Sequence, residues 1–145
     1  MGSQQSRAYK LQLSDEGIHL FLQCHCRLCH LAGDFLPYGT TLFVAVDLLH
    51  RCAADDLIAE LVDPKLDRLG GRKVRHVGTS NTLSRLVGDI VEAAGRSEAI
   101  HPLPQVWKLY LSALVHMQEA EDIKVIQSFR EMPLKTGRSA RRSPQ

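Results

Sequence analysis

Leu83, Leu86, Val87, Ile90, Val91 and Ala94 recur at i, i+3, i+4, i+7, i+8 and i+11. That spacing lays one apolar stripe along an α-helix, with Ser80 or Asn81 as its cap and Gly95 as its stop. Residues 105–120, after Pro102 and Pro104, carry a broader signal. There the polar positions narrow to Lys108, Ser112 and His116, and nearly every other side is apolar, including Trp107, Leu111 and Leu114. A helix apolar on most sides belongs in the middle of a bundle. Residues 42–54 are equally apolar and predict a buried helix capped by Thr40 or Thr41, and a short helix over 55–62 ends before Pro64. Near the start, Ser14 precedes two acids and a helix with Ile18, Phe21, Leu22 and His25 on one face. A last helix, with Ile123, Ile126 and Phe129 inward, ends at Pro133.

Between these helices the pattern weakens. Gly33-Asp34, closed by Pro37 and Gly39, predicts a turn or short hairpin over 27–39. Residues 65–80 hold three glycines and predict a loop. Residues 1–13 are polar and read as a flexible arm; residues 134–145 have four basic residues and no acid and read as a disordered tail. The expected fold class is all-α: one domain over 14–133, with five or six helices around the 105–120 helix.

Composition adds little until charge is placed along the chain. At 44% hydrophobic and 23% charged residues the chain is ordinary for a globular domain. Its net charge of +2 means that any basic surface must come from uneven placement. Residues 65–76 supply one, with Lys65, Arg68, Arg72, Lys73 and Arg75 against Asp67 alone. Arg7 and Lys10 in the arm, and Arg27, add to it. Such a patch suits anionic lipid or nucleic acid. No aromatic residue is interleaved with it, so base stacking is not expected and nucleic-acid binding would be weak. No apolar run approaches the ~20 residues of a membrane span, and the first apolar cluster follows two acids rather than a basic segment, unlike a secretory signal. The chain does open with Met-Gly-Ser-Gln-Gln-Ser, a full match to the N-myristoylation pattern. Removal of Met1 would free the Gly2 amine for the acyl chain.

Four cysteines without a secretory signal point to reduced thiols. Residues 24–30, Cys-His-Cys-Arg-Leu-Cys-His, invite a zinc site completed by His50 and Cys52. Two side chains at i and i+2 of a helix point about 200° apart, so His50 and Cys52 cannot share one tetrahedral ion. Cys29 and Cys52 are better read as small core residues, and no metal site is assigned. A second acyl chain on Cys24 or Cys26 is a weaker alternative. No nucleophile elbow and no paired acids appear, so the chain is read as not an enzyme.

An acylation signal, a short first helix, a small hairpin and a compact bundle around one buried helix resemble the retroviral matrix proteins, the lentiviral kind above all. Residues 38–50, 81–100 and 105–132 carry the resemblance through their order and spacing, with 113–127 the closest stretch. The departures are a first helix and hairpin region with Arg27 as its lone arginine, and a long insert over 63–80. The resemblance implies the N-terminal segment of a Gag polyprotein with a structural role. It would bring Gag to the inner leaflet of the plasma membrane and line the virion. Gly2 would carry covalent myristate, with no other cofactor. Arg7, Lys10, Arg27, Arg72, Lys73 and Arg75 would meet anionic headgroups. Self-association, as a trimer, and an envelope glycoprotein tail are the further partners implied. The rival is a small zinc-dependent regulatory protein built on the Cys24–His30 cluster, with nucleic acid as its candidate partner.

Overall fold

The computed structural model describes residues 6–96 and 106–136, so Gly2 and residues 137–145 lie outside the described residues. The element order is β1 (Ser6–Leu13), α1 (Asp15–Ala32), α2 (Tyr38–His50), α3 (Ala54–Leu61), α4 (Leu66–Leu69), β2 (Lys73–Ser80), α5 (Thr82–Gly95), α6 (Val106–Glu119) and α7 (Asp122–Thr136). The fold is predominantly helical, as the apolar periodicity predicts, with one small antiparallel sheet formed by β1 and β2.

The core follows from the two most apolar helices. Every residue of α2 from Thr41 to Leu49 is buried, and in α6 Leu109 to Val115 and Met117 are buried. These two helices pack on each other; α5, α7 and β2 also pack on α2, and α1, α3 and α4 on α6. The centre is therefore a pair rather than the 105–120 helix alone. Leu111 and Leu114 lie within it, while Trp107 is half-buried and rests its ring against Gly70. In α5 the predicted stripe is the buried one, with Leu83, Leu86, Val87, Ile90 and Ala94 inward. Ser14 caps α1 as expected: its Oγ accepts from the Gly17 amide at 3.1 Å and donates to the Arg68 carbonyl at 2.6 Å.

Several expectations are corrected. No hairpin forms over 27–39: α1 continues to Ala32, Gly33 closes it in the left-handed region at φ 71°, and α2 begins at Tyr38. The helix outruns the turn signal because Leu28 and the half-buried Leu31 continue its apolar face. The start of α2 lies upstream of Thr40 and Thr41, and Pro37 at its cap position supplies no side-chain bond. Residues 6–13 are a strand, not a free arm, and 73–80 are its partner, not a loop. In α1 the buried face is Gly17, Leu20, Phe21, Cys24 and Leu28, so Leu22 is left exposed. In α7 Val125 and Ser128 are buried and Ile123 is exposed; the helix also runs through Pro133 to Thr136. Pro133 has no amide to donate to the carbonyl four residues back, so α7 passes it with that one backbone bond unmade. Of the expected tail, residues 134–136 belong to α7.

Candidate functional site

The strand pairing brings together two basic stretches that are more than sixty residues apart in sequence. β1 and β2 run antiparallel with Arg7 opposite Thr79, Tyr9 opposite Val77, Lys10 opposite His76, Leu11 opposite Arg75 and Leu13 opposite Lys73. Side chains alternate across a strand, so Tyr9, Leu11 and Leu13 turn to the core while Ala8 and Lys10 stay exposed. The Tyr9 hydroxyl donates to the Ser80 carbonyl at 3.2 Å and lies 2.8 Å from the Ser84 hydroxyl, which ties the ribbon to α5. Arg72, Lys73, Arg75 and His76 are all exposed. Lys73 Nζ lies 2.9 Å from the Asp15 carboxylate. That hydrogen bond and the lysine charge hold the Asp15 carboxyl below its usual range. Arg75, opposite the inward Leu11, leaves the ribbon on the groove side, Lys10 shares the other face with His76, and Arg72 precedes β2; the Arg75 guanidinium donates to the Val74 carbonyl at 2.8 Å.

Beside the ribbon lies an open groove of about 270 Å³. Leu11, Leu13, Ile18, Phe21, Leu22 and Tyr38 make its apolar lining. Arg75, His76 and Val77 form the β2 side. Tyr38 stands over it in an aromatic group, with its ring centroid 5.9 Å from Phe21 and 4.6 Å from His25. His25 Nδ1 lies 2.7 Å from the Thr41 hydroxyl, and burial lowers the imidazole pKa. Leu22 and Tyr38 are 45% and 56% exposed, and Phe35, in the loop before Tyr38, is 98% exposed. Sequence periodicity placed Leu22 in the core; its exposure here is part of what makes the groove apolar.

The other predicted residues divide. Arg27 is a joint of the fold: its Nε donates to the Asp122 carboxylate at 2.8 Å, and its terminal nitrogens donate to the Met117 and Ala120 carbonyls at the end of α6. It sits twelve residues along α1 from Asp15, roughly 18 Å at 1.5 Å per residue, and so at the far end of the helix from the ribbon. Arg7 enters β1 opposite Thr79. Gly2 lies outside the described residues.

The cysteines do not converge. Cys24 is buried, its thiol directed at the Leu114 carbonyl at 3.4 Å, and burial pushes its pKa up to about 12. Cys26 is exposed on the same helix, and Cys29 Sγ lies 3.6 Å from His25 Nε2. Among the described residues no group of three or more His, Cys, Asp or Glu side chains is placed to hold a metal ion. One chain of contacts escaped the sequence reading: Cys52 Sγ lies 3.2 Å from His116 Nε2, and His116 Nδ1 lies 3.3 Å from a Glu60 oxygen. Thiol and carboxylate occupy opposite nitrogens of one ring, so they cannot share an ion. The order thiol, imidazole, carboxylate is that of an activated nucleophile. Burial first, then the Glu60 and Asp56 charges, push the Cys52 pKa up to about 11, which keeps the thiol protonated and the arrangement a poor source of thiolate.

None of the described helices is long and apolar enough to cross a membrane. No family model, curated protein or solved structure matches the chain.

Proposed function

We propose that this protein is a non-catalytic, peripheral membrane protein of the retroviral matrix kind, held at an anionic leaflet by an acyl chain on Gly2 and by the basic β1–β2 ribbon. The observation that carries it is the strand register, which joins the segment leading from Gly2 to the basic stretch around residue 75. The register puts Ser6 opposite Ser80 and leaves Arg72 beside the Leu13 end of β1, about 23 Å along the strand, so the ribbon would lie along the leaflet for Lys10, Arg72 and Arg75 to come within the ~8 Å reach of electrostatic attraction at physiological salt. Arg27, tied to the end of α6, is not part of this set, and Lys73 is shared with Asp15. The short-helix-and-hairpin part of the resemblance to lentiviral matrix proteins is missing from this fold, so the reading rests on the acylation signal, the buried central helices and the ribbon.

Magnitudes favour two signals acting together. A single myristoyl chain gives a membrane association constant of about 10⁴ M⁻¹, which is marginal. Each basic residue near an anionic leaflet adds about 1 kcal/mol, so three of them strengthen binding by roughly a hundredfold. Assembly of several copies, as a trimer or a Gag lattice, would multiply the gain without new contacts. A virion and inner-plasma-membrane location, and contact with an envelope glycoprotein tail, belong to the same proposal.

The test is partitioning of acylated protein onto phosphatidylserine-containing vesicles across a salt series. Gly2→Ala should lower binding at every salt concentration. Lys10→Gln, Arg72→Gln and Arg75→Gln together should lower it mainly at low salt and only on anionic vesicles. If neither change matters, the ribbon and the acyl signal are not the membrane site. Stoichiometric zinc in the purified protein, lost with folding on chelation, would instead support the zinc-dependent rival.

A further inference from the structure

We infer that Phe35 is a third membrane anchor, an unmodified aromatic wedge that enters the headgroup–acyl boundary of an anionic bilayer beside the basic ribbon; this rests on the membrane reading above. The loop between α1 and α2 is short and locally held. Gly33 and Asp34 amides both donate to the Cys29 carbonyl, at 2.8 and 3.2 Å, and the Asp34 carboxylate accepts from the Phe35 amide at 2.7 Å. Leu36, the next residue, packs against the core, while Phe35 is 98% exposed. Of two adjacent apolar side chains the fold partly buries one and presents the other on a hydrogen-bonded turn. Folding gains nothing from that presentation, since Phe35 removes almost no surface from water.

Its neighbourhood is apolar and cationic together. Among the described residues the exposed large apolar side chains include Leu22, Tyr38 and Val74. Leu22 and Tyr38 line the groove and Phe35 stands three residues before Tyr38, while Val74, opposite Gln12, is on the other face of the ribbon. Arg75 and His76 form the opposite side of that groove, with Lys10 across the ribbon from His76. Exposed apolar side chains close to positive charge are the composition of an interfacial membrane site. Asp34 is the opposing charge nearest Phe35, and its carboxylate faces the backbone amide. The occupant that satisfies both halves is a bilayer surface carrying anionic headgroups.

The experiment uses the acylated full chain on phosphatidylserine-containing vesicles. Phe35→Ala should lower partitioning about tenfold at all salt concentrations, because the lost contribution is burial and not charge. Phe35→Trp should retain binding, and its added emission should be quenched by lipids brominated near the headgroup. The native Trp107, half-buried against Gly70, provides the unquenched background. Binding of Phe35→Ala within twofold of the parent, or Phe35→Trp emission indifferent to bromine, overturns the inference. If Phe35 is silent while the Gly2 and ribbon variants lose binding, only the wedge falls. If the parent acylated protein fails to bind, the membrane reading falls with it. The near-complete exposure of Phe35 leaves the fold intact in both variants, which thermal unfolding checks.

Discussion

Asp47 sits in the middle of the most apolar helix with none of its side chain exposed. A carboxylate there is tolerable because it is engaged from two other positions. The Ser128 hydroxyl of α7 donates to its Oδ2 at 2.7 Å, and Arg51, one turn along α2, places Nε 3.0 Å from the same oxygen. Arg51 also reaches Glu131, so the Asp47–Arg51 pair ties α2 to α7 at two places, Ser128 and Glu131. Removing one partner of a buried pair is costlier than the pair was worth, because the remaining charge stays desolvated. Arg51→Ala should therefore cost about 2–4 kcal/mol in urea unfolding, the lower part of that range reflecting an arginine that is itself a third exposed. Adding Asp47→Asn should return about half of the loss, since the amide can still accept from Ser128. If the double variant is no more stable than the single, the stranded charge is not the cause and Arg51 acts through its contacts alone.

At the scale of elements, β2 is held against α2 by the absence of a side chain. A Cβ added at Gly39 would lie 1.7 Å from the Gly78 carbonyl oxygen and 3.0 Å from Thr79 Cβ. No rotamer relieves a clash with backbone, so the strand would have to move. Gly39→Ala should destabilise the protein by about 1–3 kcal/mol and speed amide exchange in β2. Gly88, on the exposed side of α5, has nothing within 4 Å of an added Cβ, and Gly88→Ala should stabilise by about 0.5–1 kcal/mol. Equal responses at the two positions would show that α2 and β2 do not touch as described. The same elements mark what the sequence could disclose. α5 and α6 were legible because one apolar face continues for three or more turns, and Ser14 because a cap is a local device. β1 and β2 were not, although Tyr9, Leu11 and Leu13 alternate with Ala8, Lys10 and Gln12. That alternation is short, and its partner strand carries one buried side chain, Val77, with no adjacent turn to announce a pair. The face of α1 was misplaced by about one position, because Leu22 and Ile18 count as core residues in any periodicity and here line a groove. The candidate cations were visible as a cluster. That Arg27 belongs to the end of α6 and Lys10 to the ribbon depends on contacts no local spacing encodes.

For the molecule as a whole, the consequence is that β1, the strand nearest Gly2 in the sequence, is also part of the core. Tyr9, Leu11 and Leu13 are 7%, 1% and 3% exposed, and Leu11 is among the largest fully buried side chains. Burying three such residues contributes roughly 1.5–3 kcal/mol each, as an upper estimate against an extended unfolded chain. Their sum approaches the 5–15 kcal/mol by which a domain of this size is stable. A chain beginning at Ser14 would lose all three and leave β2 without β1, its strand partner among the described residues. It should fail to unfold cooperatively, with exposed apolar surface reported by dye binding. A chain beginning at Ser6 keeps β1 and should show one sharp transition. The Ser6 chain also lacks Gly2, so under the proposed membrane role it should retain on anionic vesicles a weak, salt-sensitive binding from Lys10, Arg72 and Arg75 and lose the salt-resistant component proposed for an acylated chain. Cooperative unfolding of the Ser14 chain would mean that residues 6–13 are an appendage. The proposed acyl chain would then hang on a tether, free of the basic ribbon, and the proposed coupling between the two would have no structural basis.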